Sequence, residues 1–417
     1  MNKRISTKLY ALANGMSYFG TMGGNIRIFL ELTKRLSSKF RLTIVTHPEG
    51  FKTCQHYGVK GKEFHVLKLG GKYLKQPRAM NFYAVIFHFI QTIETVFMLL
   101  KFGRRELEKE HQFLIYSSTD FWPDVIPSLI FKLKFRDKVK WIAGFWLFAP
   151  NPFSSESPYK GTGIIKGLFF KLYQLPVFFL IRKYADVVFV TSEPDIEKFI
   201  TTKRDKDKIV VIRGGVDINP SDSFLKSGNV SPLEERKYDA CFVGRFHYQK
   251  GVLELVDIWR LVCDRKPNAK LAMIGIGPLE KEVREKIRRF ELQDRTELLG
   301  FKDGEEKYEI FKQSKIVVHP ATYDSGGMSA CEGMAWGLPG VSFDLEALKS
   351  YYPKGMLKTP CYDLKVFAEN ILKLLEDEKL YKKTSEDAIT WAREWDWDKR
   401  ADEILKEFKS ILEEVAG

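Results

Sequence analysis

The stretch that most constrains this chain is His319-Pro-Ala-Thr-Tyr-Asp-Ser-Gly-Gly-Met-Ser-Ala-Cys-Glu-Gly-Met-Ala-Trp-Gly-Leu-Pro339. It follows Ile316-Val-Val, a β-branched run ended by His-Pro, and precedes Gly340-Val-Ser-Phe, a second apolar strand. Between them Gly326 and Gly327 open a predicted helix that Gly337 closes, with Pro339 just beyond. Such a helix leaves the amides of Gly327, Met328 and Ser329 facing out of its N-terminus, where an anion is favoured. The two glycines remove side chains that would block its approach. Two acids flank the place: Asp324 just before, and Glu332 about one and a half turns into the helix. Acids so placed suit sugar hydroxyls better than phosphate. A plain strand–turn–helix with solvated acids would show the same pattern, so the reading needs support elsewhere.

Residues 244–251, Gly-Arg-Phe-His-Tyr-Gln-Lys-Gly, give that support. They join the strand 238–243 to a helix starting at Val252. Arg245 and Lys250 set two cations at a helix N-terminus, and Gly244 and Gly251 keep the backbone accessible, which suits a pyrophosphate. The order strand, glycine loop, helix also opens the chain. Lys8–Ala13 is a strand, 14–22 a polar loop, and Gly23-Gly24 lead into a helix with Ile28, Leu32 and Leu36 in phase. Further strands are expected at 41–46, 113–116, 139–144, 187–192, 208–217, 270–278 and 297–301. Alternation of this kind is α/β, with two Rossmann-like halves.

At 417 residues the chain exceeds one core and accommodates two. Residues 219–237 are polar, with Pro220, Ser221, Ser223, Gly228 and Pro232, and read as a linker, which divides the chain into domains 1–218 and 219–390 and a tail 391–417. Five cysteines without paired spacing read as thiols in a reducing compartment. Met1-Asn-Lys-Arg leads into no signal-peptide apolar run, so a cytoplasmic location is expected. Residues 1–220 carry 35 Lys and Arg against 18 Asp and Glu, and the remainder 32 against 36. A basic first half points to an anionic acceptor, nucleic acid or an anionic membrane surface. Nucleic acid is disfavoured because no recognised motif accompanies the charge.

Residues 82–102 could span a bilayer by length, but His88, Gln91 and Glu94 form a polar stripe that favours a buried or interface-facing helix. Residues 164–184 mix apolar and basic character and read as a core or membrane-surface helix that Pro176 kinks or divides. Asp396-Trp-Asp398 sits at a helix start and reads as a cap, with no metal expected.

The 319–339 run resembles the Glu-x7-Glu signature of retaining glycosyltransferases of the GT-B fold, family 4. Asp324 stands where the first Glu belongs, Glu332 at the second, and Gly326 replaces a Phe. The 244–251 loop is similar to the family's Gly-Arg-x4-Lys-Gly at all its defined positions, and Gly215-Val-Asp217 matches the strand end closing the first domain. The resemblance implies two Rossmann-like domains facing across a cleft, with a C-terminal helix packing across both. It implies a hexosyl donor linked to UDP or GDP, and the basic, aromatic first half favours a glycan or lipid-linked acceptor at the cytoplasmic membrane face. Arg245, Lys250 and Asp324 would be catalytic; Gly23, Gly24, Gly244, Gly326, Gly327, Met328, Ser329 and Glu332 would line the donor. No cofactor or metal is implied. The family's histidine after the strand 139–144 is absent, that place reading Ala143-Gly-Phe-Trp146, whose aromatics could form an acceptor lip or pack in the core. An epimerase of the same fold, a non-catalytic sugar-nucleotide sensor and a nucleic-acid module remain as alternatives.

Overall fold

The computed structural model describes residues 8–16, 22–36, 40–59, 63–69, 77, 81–108, 113–154, 157–161 and 163–416. Part of the first glycine loop, residues 17–21, and His111 lie outside the described residues. Two compact units result. One comprises 1–152, 161–213 and 401–417, and the other 153–160 and 214–400. Each is built on a wholly parallel sheet.

The first sheet has the order β3-β2-β1-β4-β5-β6-β7. Its strands are β1 (Lys8–Leu12), β2 (Arg41–Thr46), β3 (Glu63–Val66), β4 (Phe113–Ser117), β5 (Val139–Gly144), β6 (Val187–Val190) and β7 (Ile209–Val211). Its helices include α1 (Gly24–Leu36), α2 (Pro48–His56), α3 (Phe82–Met98), α4 (Trp122–Phe135) and α5 (Gly163–Tyr184). Tyr10, Phe113, Trp141 and Ile181 sit in a core that is closed to solvent. Strand order reverses between β1 and β4, the place where parallel sheets open a crevice at their carboxyl ends.

The second sheet, β10-β9-β8-β11-β12-β13, is assembled from β8 (Tyr238–Val243), β9 (Leu271–Ile274), β10 (Thr296–Gly300), β11 (Ser314–His319), β12 (Gly340–Phe343) and β13 (Met356–Thr359). Alternate side chains feed two cores. Ala240, Phe242, Ile316 and Val318 face one with Trp259 and Phe367, whereas Cys241 and Val317 face the other with Met334, Tyr351, Tyr352 and Trp395. Burial on both faces explains why these strands read as unbroken apolar runs.

Three expectations change. The polar stretch after residue 218 is not all linker, since Asn219–Lys226 forms helix α6 and Arg393 pairs with its Asp222 at 3.0 Å. Pro176 does not divide α5, which runs unbroken to Tyr184. Phe145 and Trp146 make no acceptor lip. Both are buried, Phe145 against Phe148 and Phe199, and Trp146 with its indole N–H on the Ser118 carbonyl. Asp396 does cap the last helix, accepting from the amide of Asp398 at 2.8 Å.

Candidate active site

The site in the second unit starts from two loops at strand carboxyl ends. After β8 the chain passes Gly244 and Arg245, turns through Tyr248–Lys250 and enters helix α7 (Val252–Arg265) at Gly251. Gly251 has φ +63°, and a Cβ there would lie 1.8 Å from the Pro320 carbonyl oxygen. Only glycine fits both the left-handed backbone and that approach. The contact joins this loop to the one after β11, and the Thr322 amide donates to the Gln249 carbonyl at 3.1 Å. Sequence motifs seventy residues apart are therefore one structure.

Asp324 lies at their junction and is buried, with its side chain 8% exposed. One carboxylate oxygen meets Lys250 Nζ at 2.5 Å and His319 Nε2 at 3.2 Å, and the other accepts the Ser325 amide at 3.0 Å. Burial by itself would raise its pKa. The Lys250 ammonium and the His319 ring outweigh that and hold the carboxyl well below the usual range. Burial pushes His319 down, against the pull of Asp324, which favours its neutral form. Lys358 stands over the Tyr352 ring at 4.2 Å and donates to Ser342 Oγ at 3.3 Å; burial lowers its pKa to about 8.

The helix after the double glycine, Met328–Ala335, is short. Ala330 and Cys331 both donate to the Gly327 carbonyl, so the Met328 and Ser329 amides precede its first internal bonds. The two glycines have a packing reason that the sequence did not show. A Cβ on Gly326 would come within 2.8 Å of the Tyr351 hydroxyl, and one on Gly327 within 2.1 Å of the Tyr352 ring. Glu332 is held by Lys307 at 2.9 Å, and the same ammonium meets Asp303 at 2.9 Å. Lys307 comes from the helix Glu305–Lys312 and is itself buried.

Residues 153–160 reach the same place from the first half of the sequence. Tyr159 is buried, with ring centroids 6.0 Å from His247 and 5.7 Å from Tyr248, and burial pushes its pKa up to about 12 despite nearby Arg245. Lys160 stands 3.9 Å over the Tyr362 ring.

The structure thus brings together Gly244, Arg245, Lys250, Asp324, Gly326, Gly327, Met328, Ser329 and Glu332 within one unit, with Arg245 exposed. Gly23 and Gly24 lie in the other unit, where Gly24 begins α1 and the Gly23 carbonyl caps its first turn. His319, Lys307, Tyr159 and Lys358 were missed by sequence reasoning. For His319 a signal existed: it ends a strand at the carboxyl edge, where parallel sheets hold ligands. Among the described residues no three His, Cys, Asp or Glu side chains gather as metal ligands.

Residues 225–391 match the family described as glycosyl transferases group 1. An uncharacterized glycosyltransferase of Methanocaldococcus jannaschii is 26% identical over 335 residues, 70% of this chain and 75% of that one. The poly(glycerol-phosphate) alpha-glucosyltransferase of Bacillus subtilis is 23% identical over 248 residues; the match covers 59% of this chain but only 34% of that protein. In fold, the chain is similar to Anabaena HepE, solved with UDP and glucose, at TM-score 0.68 and 15% identity over 97% of this chain and all of that one. Residues 225–391 are thus similar to glycosyl transferases group 1, in a chain of GT-B fold.

Proposed function

We propose that the chain is a retaining glycosyltransferase of family 4, moving a hexosyl group from a UDP- or GDP-linked sugar to a hydroxyl of a glycan or lipid-linked acceptor. The observation that carries the reading is the Lys250–Asp324 pair that ties the two glycine loops together, Asp324 buried and Lys250 partly so, with Arg245 exposed on the same loop as Lys250. Chemistry at an anomeric carbon builds negative charge on a departing diphosphate and positive charge on the sugar. Arg245, Lys250 and the Met328 and Ser329 amides are the groups suited to the first charge. Asp324 and Glu332 suit hydroxyls of the sugar and the ribose. Lys250 and Asp324 satisfy each other. A diphosphate would draw Lys250 toward itself and release one carboxylate oxygen for a donor hydroxyl.

These cations and amides supply the stabilisation that a metal gives elsewhere, so transfer is expected to proceed in excess chelator. The UDP and glucose complex of Anabaena HepE supports the donor class. The test is transfer from UDP- and GDP-hexoses to a lipid or oligosaccharide hydroxyl, with the product's anomeric configuration read by NMR. Retention is expected. An inverted product, or transfer that chelator abolishes, contradicts the mechanism.

A further inference from the structure

Three neighbouring helices of the first unit expose large apolar side chains, and the first of them is largely inside out. Helix α3 buries His88, Gln91, Thr92 and Thr95, whereas Phe82, Ile86, Phe89, Ile93 and Phe97 are exposed, Phe82 at 73% and Phe97 at 69%. Its buried polar groups are committed inside. His88 meets the Tyr173 hydroxyl at 2.7 Å, and Thr95 accepts from Asn14 at 3.3 Å. Helix α4 lies beside it and exposes Ile130 and Leu133; α5 lies beside α4 and exposes Ile165, Leu172, Leu175 and Phe179, with Ile165 at 75%. A surface helix of a water-soluble domain normally shows the opposite pattern. Scattered exposed leucines need no explanation, but large apolar side chains exposed on three adjacent helices do.

The charge around this layer indicates what it meets. From Phe82 to Leu100 there is no Lys or Arg, and Lys101, Arg104 and Arg105 follow at once, all exposed. Lys134, Arg136 and Lys138 follow the apolar row of α4, and Arg182 and Lys183 end that of α5. All three helices are crossovers between parallel strands, so they run in one direction and their C-terminal ends gather along one border. Glu108 offsets Arg104 there at 3.2 Å, and Glu94 is taken up by the Lys68 and Leu69 amides. An apolar, aromatic-rich face with a cationic border fits hydrocarbon beneath anionic headgroups. The helical run Phe82–Leu107, which begins with α3, and α5 are apolar and long enough to cross a bilayer, yet Leu99 and Leu107 of the first and Val177 and Ile181 of the second sit in the sheet's core, so they lie along the surface.

We infer that the α3–α4–α5 layer docks on an anionic membrane surface, its exposed apolar side chains entering the interface and its basic border meeting the headgroups. The inference does not rest on the proposed transfer chemistry. The test is flotation of the full-length protein with vesicles of phosphatidylcholine containing roughly a third phosphatidylglycerol, against phosphatidylcholine alone. The wild type is expected to bind the anionic vesicles preferentially. A variant carrying F89D, F97D and L172D should bind at least about tenfold more weakly with an unchanged thermal midpoint, and K101E/R105E should lose the preference for phosphatidylglycerol. Equal binding by wild type and the aspartate variant overturns the proposal. So does a wild type that ignores vesicles but forms a dimer that F97D dissociates, because the face is then an interface between copies.

Discussion

At the scale of single residues, the site reads as a set of compensated charges. Arg245 is the exposed cation of the 244–251 loop, and if that loop holds the diphosphate as proposed, Arg245→Ala should lower turnover by about 10²–10³, the effect of removing one preorganised charge-stabilising donor. Steady-state rates at saturating donor check this, and unchanged turnover would remove Arg245 from the site. His47 shows how burial makes stability depend on pH. It caps α2 through the Gly50 amide at 3.3 Å, and burial, outweighing an opposing bond to the Met16 carbonyl, lowers its pKa to about 4. The unfolded chain binds this proton more readily, so the stabilisation is complete above about pH 6.5 and is lost as pH falls toward 4. The whole effect is about 3 kcal/mol. His47→Asn keeps a capping side chain, and urea titrations at pH 7 and pH 4.5 should show a smaller difference than in the wild type. Asp324 acts in the same direction at lower pH, its pKa being depressed, so its contribution is lost only below the ordinary carboxylate range.

At the scale of elements, the two glycine loops were legible because their purpose is local: a strand end, a backbone freed of side chains and a helix start. The reason for each glycine was not. Gly251 answers to Pro320, and Gly327 to Tyr352, and these neighbours are set by the sheet order β8-β11-β12, which no window of sequence contains. Gly251→Ala should destabilise the second unit by more than about 2 kcal/mol, combining a left-handed backbone with a direct clash. Chemical denaturation measures this, and a neutral result would mean the loop can move off Pro320 freely. Central strands such as β2, β5, β8 and β12 were read to the residue, since burial on both faces demands apolar, β-branched runs. The edge strands β3 and β13 escaped. Glu-Phe-His-Val is only partly covered, and neither it nor Met-Leu-Lys-Thr carries such a run.

At the scale of the whole molecule, the alternating pattern sufficed for two Rossmann-like sheets, while chain assignment did not follow sequence halves. Residues 153–160 belong with the second unit and residues 401–417 with the first. The polar stripe of α3 was visible in sequence, but its inward direction was not, because it depends on Asn14 and Tyr173 from elsewhere in the unit. The central claim is that the second unit holds a nucleoside diphosphate between its two glycine loops. Calorimetric titration of UDP and GDP into the full-length protein, in chelator, tests it most directly. The account predicts that one of them binds, and that Lys250→Ala and Glu332→Ala each weaken it by about tenfold or more, as loss of one charge-assisted contact should. Binding of neither nucleotide, or equal binding by wild type and both variants, would contradict it.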